Sequence, residues 1–314
     1  MGMMDRGVIE SAYRAFQSRF ADAIAGLDGS AVFLVDDWER SGGGGGRTMV
    51  LESDGHIEKA AVNFSAVHGK TPARLSEQLA KRSSQFFATG VSIIVHPRNP
   101  HAPTFHANVR YFETDTGDAW FGGGADLTPY YLEPDDARHF HAVLARVCER
   151  HEVADYGAWK AQCDRYFYLP HRGEARGVGG IFFDHLTDRL DDVWEFQQDL
   201  SDALLEAYPP ILERRIGEPF GAEERDWQLY RRGRYVEFNL VWDRGTRFGL
   251  ETNGRTESIL GSLPPLARWV YDHQPAPGSR EAELAEFVAG KPRDWLVPDS
   301  LLNSATTTLD DPDV

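Results

Sequence analysis

Phe105, Ala107, Val109 and Tyr111 are apolar, and His106, Asn108 and Arg110 stand between them. A period of two belongs to a strand with one buried face and one open face. Val91 to His96 forms a β-like stretch just before it, while Trp120 to Leu127, which follows, holds Gly122, Gly123 and Gly124. Strands that succeed one another this closely pair antiparallel, because a parallel neighbour needs a long crossover. Helical patterns lie before, between and after them. In residues 8–27, Ile9, Tyr13, Phe16, Phe20, Ala23, Ile24 and Leu27 recur at three- and four-residue steps. Pro134 opens a helix to about His151, residues 157–167 look helical, and residues 191–215 form a long helical pattern bent near Pro209 and Pro210. Runs of strands and runs of helices predict an α+β fold with a largely antiparallel sheet. The chain reads as one domain, 1–314, with a polar tail frayed after about 296.

Four further segments carry expectations. Ala31 to Trp38 reads as a strand. Gly42 to Gly46 after Ser41 reads as a flexible linker or a tight backbone passage; it lacks the Lys-Ser/Thr ending of a phosphate loop. Residues 71–87 look helical, with Pro72 near the start. Tyr235 to Trp242 alternates like a strand, Asp243-Arg244-Gly245 reads as a turn, and Phe248 to Thr252 as a returning strand. Pro264 and Pro265 precede another short helical stretch.

Composition narrows the function classes. Lys plus Arg is 33 and Asp plus Glu is 49, a formal charge of −16, which argues against a nucleic-acid scaffold. Cys148 and Cys163 are too few for a disulfide framework. No apolar run reaches the roughly 20 residues of a membrane span, and Met1 to Ala25 has the layout of neither a signal nor a transit peptide. A cytoplasmic location is expected.

Within so acidic a chain, arginines that cluster are informative. Arg231, Arg232 and Arg234 precede the 235–242 stretch, and Arg244, Arg247 and Arg255 follow it. Guanidinium groups grip carboxylates in a bidentate fork. His106, Asn108 and Arg110 share one strand face. His141 lies beside the apolar stripe of its helix and points inward; His139 points to water. His171 stands in a loop where Arg172 and Arg176 alternate with glycines, a pattern suited to an anion. His96, His106, His141 and His171 match no compact metal-ligand spacing. The residues alone point to an enzyme or binder with an arginine- and histidine-lined site for a carboxylate ligand.

Longer motifs carry a resemblance. They are Asp37-Trp38-Glu39-Arg40 with the glycine run, Ser92 through Arg110, Trp120 through Pro129, Lys160 through Asp184, and Gln228 through Arg268. In order, from about residue 8 to 295, the chain resembles the oxygen-dependent coproporphyrinogen-III oxidases of haem synthesis. The resemblance implies a large antiparallel sheet flanked by helices on both faces, and a homodimer joined through Tyr235 to about Asp272. It implies that two propionates of coproporphyrinogen III become vinyl groups, with dioxygen as co-substrate, no organic cofactor, and CO2 and peroxide leaving. His106 matches the proton donor. Ser92, Asn108, Val109 and Arg110 match substrate contacts, as do Asn253, Gly254 and Arg255. His96, His106, His141 and His171 match positions assigned to a divalent metal in some bacterial relatives. Asp243 is the expected contact to the pyrrole N–H, and Arg244 either holds Asp243 ionised or grips a propionate.

Overall fold

The structure, a computed structural model, describes residues 4–29, 32–71, 83–251 and 254–297. Seven strands form one sheet: β1 (Leu34–Glu39), β2 (Gly44–Glu52), β3 (Ile57–Lys70), β4 (Gln85–Pro97), β5 (Thr104–Thr114), β6 (Ala119–Thr128) and β9 (Gly179–Leu186). They lie in the order 1-2-3-4-5-6-9, and every neighbouring pair is antiparallel. A small hairpin, β7 (Tyr168–Leu169) with β8 (Glu174–Ala175), stands apart.

One face of the sheet is covered by α1 (Arg6–Asp28), α2 (Pro134–Glu149), α4 (Leu190–Ala207) and α5 (Pro209–Arg215). Asp5 caps α1 by accepting from the Gly7 and Val8 amides, and Gly29, at φ 85°, ends it. Its stripe, Ile9, Tyr13, Phe16, Phe20 and Ile24, is buried at helical spacing. The apolar side of β5 meets it. The Phe105 ring stacks on Phe20 at 5.6 Å and on Tyr208 at 4.5 Å, with Phe140 edge-on at 6.2 Å. Each such ring contributes about 1.5–3 kcal/mol by leaving water. α3 (Tyr156–Tyr166) closes the β9 edge, with Trp159 on Phe183 at 4.4 Å.

The other face is only partly covered, by α6 (Ala222–Glu237), a π-helical turn (Phe238–Trp242), α7 (Arg244–Glu251) and α8 (Thr256–Leu260). Tyr235 packs on Ala61 and Ile94, and Phe238 on Phe167 and Phe182. α9 (Arg280–Ala289) packs against Tyr130, Tyr131 and Trp227. The sheet is therefore flanked on both sides, as expected of this α+β fold.

Several local expectations are corrected. The glycine run is a tight backbone passage and not a linker: a Cβ at Gly44 or Gly45 would meet a neighbouring strand's carbonyl oxygen at 2.2 Å. Gly43 (φ 113°) and Gly44 (φ 79°) make the β1–β2 turn, and Gly44 to Gly46 belong to β2. Tyr235 to Trp242 and Phe248 to Glu251 are helical, not strands; Thr252 lies outside the described residues. α6 simply continues, with Arg231, Tyr235 and Phe238 on inward steps of four and three. The helix expected over 71–87 falls mostly on 72–82, outside the described residues; Gln85 to Phe87 already belong to β4. After Pro265 the chain is irregular as far as α9. Strands β2, β3, β6 and β9 have no counterpart in the sequence reading. The tail beyond 297 lies outside the described residues.

Candidate active site

The polar row of β5 faces the half-open side of the sheet. Register places Ser92 beside Asn108, and His106 between Ile94 and Asp126. His106, Asn108 and Arg110 are each half-buried. Asn108 Nδ2 donates to the Val91 carbonyl at 3.2 Å. Arg110 donates from Nη1 to Asn108 Oδ1 at 2.7 Å and pairs through Nη2 with Asp184 at 3.0 Å. The guanidinium is thus held flat and aimed along the face, as a carboxylate site requires.

Beneath His106 lies a buried charge pair. Asp126 Oδ1 is 2.8 Å from His106 Nδ1, and Arg176 Nη2 is 2.7 Å from both Asp126 oxygens. Burial pulls the Asp126 carboxyl up, but Arg176 and His106 outweigh it and hold it below the usual carboxylate range. An ionised Asp126 can only accept, so His106 donates from Nδ1 and presents Nε2 to the open face. Arg176 is itself fully enclosed, 4.0 Å above the Phe167 ring, 4.7 Å from Tyr235 and 4.8 Å from Phe238, and it donates to Asn239 Oδ1 at 3.1 Å.

Asp243 follows the π-helical turn. Tyr166 donates to its Oδ1 at 2.7 Å; the Thr246 amide and hydroxyl donate to Oδ2 at 2.7 and 2.8 Å. Burial raises its carboxyl, yet these bonds bring it below its ordinary value. Burial and the neighbouring Asp243 push Tyr166 up to about 12, so it stays a phenol and a donor. A carboxylate offers about four lone-pair sites, so one remains on Asp243. Arg244 is exposed, its guanidinium 4.9 Å from the Tyr166 ring. It does not pair with Asp243; its own amide donates to Tyr166 Oη at 3.2 Å.

The arginine cluster divides. Arg231 and Arg234 are buried against Glu174, at 3.1 and 3.2 Å, and Arg232 against Glu58 at 2.6 Å. These three neutralise internal carboxylates and do not face a ligand. Arg172 grips Glu237 at 2.6 and 2.8 Å. Arg255 pairs with Asp36 on β1. Its neighbour Ser258 bonds Thr48 Oγ1 at 2.7 Å and accepts from Asn63 at 3.0 Å, so the strap containing α8 lies on the β2–β3 part of the open face. Gly254 is tied by its amide to the Gly249 carbonyl at 2.8 Å. Asn253 lies outside the described residues. The Val109 side chain is fully buried on the helix-covered face, so only its backbone borders the site.

The four histidines are not brought together, which corrects the expected metal set. His141 donates from Nε2 to the Val178 carbonyl at 3.0 Å and accepts at Nδ1 from Tyr156 at 2.8 Å. Burial holds its pKa down to about 3. His171 accepts from Trp242 Nε1 at 2.9 Å and donates to Glu237 at 2.8 Å. His96 ends a relay. Arg232 Nε donates to Tyr130 Oη (3.3 Å), Tyr130 to Thr104 Oγ1 (2.6 Å), Thr104 to His96 Nδ1 (3.1 Å), and His96 Nε2 to the Ser262 carbonyl (3.0 Å). Both ring nitrogens of these three are spent on protein partners. Among the described residues no group of three or more His, Cys, Asp or Glu side chains is placed to hold a metal ion. These residues do not fit the divalent site.

Sequence reasoning gave no role to Asp126, Tyr166 or Asp184, and read Arg176 as part of an anion loop. Asp126 stands in the Gly-Gly-Gly-Ala-Asp motif, but its place opposite His106 depends on the register of β5 against β6. A cavity of about 680 Å³ opens at the β1–β2 edge, bordered by Trp38, Gly46, Arg40 and Arg14; His106, Asn108 and Arg110 do not line it. The site is a partly covered sheet face with one free imidazole nitrogen, one aligned guanidinium and one capped carboxylate. Residues 8–295 match the family model of coproporphyrinogen III oxidase, and the chain belongs to that family, whose members are oxidoreductases of haem biosynthesis.

Proposed function

We propose that this chain converts the ring A and ring B propionates of coproporphyrinogen III to vinyl groups, using dioxygen and giving protoporphyrinogen IX. The observation that carries the reading is the His106–Asn108–Arg110 row on an open face, backed by the ionised Asp126–Arg176 pair. For each propionate, the carbon next to the ring gives up a hydride equivalent, and the bond to the carboxylate breaks. Its electron pair becomes the vinyl double bond and CO2 leaves. Dioxygen takes two electrons and two protons and becomes peroxide.

The electron-rich pyrrole itself reduces oxygen in this reading. Arg110 grips a propionate that does not react, and Arg255 does the same once it leaves Asp36. The remaining acceptor site of Asp243 takes the pyrrole N–H and stabilises positive charge as electrons depart. His106 moves a proton through Nε2. Phe167, Phe182 and Phe238 supply an apolar wall that strengthens these interactions.

A homodimer is part of the proposal. Leu240, Val241, Trp242, Phe248, Trp269 and Tyr271 are exposed in one stretch of chain, Tyr271 by 99%. Sedimentation equilibrium should find a dimer that Trp269→Asp with Tyr271→Asp splits. A cytoplasmic location is also part of the proposal. No helix among the described residues is long and apolar enough to cross a membrane.

The deciding experiment incubates the protein with coproporphyrinogen III, with and without air and with and without a chelator. Porphyrins are then separated by chromatography. A two-carboxylate product is expected in air whether or not the chelator is present. No product in air overturns the reading.

A further inference from the structure

On the open face, one transverse row of the sheet runs Trp38, Gly46, Ser65, Gly90, Arg110, Gly122, from β1 to β6. Three of its six positions are glycine. Its two large side chains lie flat over glycines. A Cβ at Gly46 would stand 2.4 Å from Trp38 Cζ2, and one at Gly122 would stand 2.8 Å from Arg110 Nε. Trp38 is pinned by its Nε1 bond to Thr48 Oγ1 at 3.2 Å, and Thr48 is bonded to the α8 strap. Arg110 is pinned by Asn108 and Asp184.

Between the indole and the guanidinium the floor holds only Ser65 and Gly90. From β2 to β5 is three strand spacings, about 14 Å, the breadth of a four-ring macrocycle. A ladder of stacked rings borders this floor: Phe86 on Phe112 (5.8 Å), Phe112 on Trp120 (4.3 Å), Trp120 on His185 (4.8 Å). Glycine inside a strand weakens it and marks close approach of a ligand or a second backbone. At Gly90 part of the reason is the β5 backbone, since a Cβ would meet the Val109 carbonyl at 2.6 Å. At Gly46 and Gly122 the nearest contacts include the flat Trp38 and Arg110 side chains, and the room serves to lay them down.

We propose that Trp38 is a substrate-binding residue: its indole stacks on one pyrrole ring while the macrocycle spans the Ser65–Gly90 floor and Arg110 grips a propionate. This rests on the function proposed above and adds what holds the apolar body of the substrate. Aromatic faces pair in offset or edge-on geometry and confer orientation without charge, which a pair of arginines alone does not.

Three variants of the full chain test it: Trp38→Ala, Trp38→Phe and Ser65→Phe. Turnover of coproporphyrinogen III in air gives KM and kcat; quenching of tryptophan emission by coproporphyrin III gives affinity; circular dichroism checks the fold. Trp38→Ala should raise KM and weaken porphyrin binding about tenfold, with a smaller loss in kcat, and Trp38→Phe should recover most of both. Ser65→Phe leaves the indole in place but fills the floor, and should weaken binding at least tenfold, so it answers even where Trp38→Ala fails to fold. Unchanged porphyrin affinity in folded Ser65→Phe overturns the inference. A wild-type chain that binds coproporphyrin III through Trp38 but turns nothing over overturns the function and leaves the stacking site supported. A wild-type chain with no porphyrin quenching overturns the stacking site.

Discussion

Phe105–Glu113 and Tyr235–Trp242 alternate apolar and polar residues in the same way, yet one is the inner strand β5 and the other is the end of α6 widening into a π-helical turn. The difference lies in what each polar residue finds. In β5 the polar row meets the half-open face and pairs across strands. Around 235 the polar residues meet charged and polar groups of other elements: Asn239 accepts from Arg176, and Glu237 from Arg172, His171 and Trp269, while Glu58 and Glu174 hold the arginines just before them. Alternation over eight residues fits both periods, and the partners decide.

The strand region should break most severely. Arg176→Met leaves Asp126 charged and enclosed, and should cost about 3–5 kcal/mol in urea unfolding; a loss below about 1 kcal/mol would show that Asp126 does not depend on it. On the helical side the largest effect should fall on chemistry. Asp243→Ala removes the group presented by the π-helical turn, and should lower turnover about a hundredfold or more while coproporphyrin III still binds. Near-normal turnover would take Asp243 out of the mechanism.

Much of the strand region was legible because His106, Asn108 and Arg110 are local in sequence. Their partners were not. Asp126 lies 20 residues away and Arg176 50 residues from Asp126, joined only by strand register and a loop. β3 hid because both its faces carry apolar residues, Ala60, Ala61 and Val62 in a row, so no clean alternation appears. The helical region misled for the opposite reason. Arg231, Arg232 and Arg234 look available in sequence, and only burial reveals that internal acids have taken them.

Smaller tests sharpen the contrast. Glu237 accepts from Arg172, His171 and Trp269, and these bonds outweigh burial to hold its carboxyl down to about 2. Glu237→Gln should cost about 1–2 kcal/mol and shift tryptophan emission to the red; unchanged emission would mean that Trp269 is held by something else. Last, buried His141 stays neutral when folded, with its pKa down to about 3 against 6.5 unfolded. Between these values the unfolded chain binds a proton that the folded chain refuses. Its stabilising share is complete above pH 6.5 and declines by about 1.4 kcal/mol per unit as pH falls toward 3. Urea midpoints at pH 6.5, 5.5 and 4.5 should fall less steeply in His141→Leu; an equal slope would show that His141 does not set it.

The bonds from Arg232 through Tyr130, Thr104 and His96 to Ser262 have a single polarity. A guanidinium can only give and a carbonyl can only receive, so the two termini dictate which way each hydroxyl between them points. A wire with both terminals fixed cannot reverse to reload, and therefore cannot conduct. It behaves as a rivet that fastens helix, sheet and strap in one orientation.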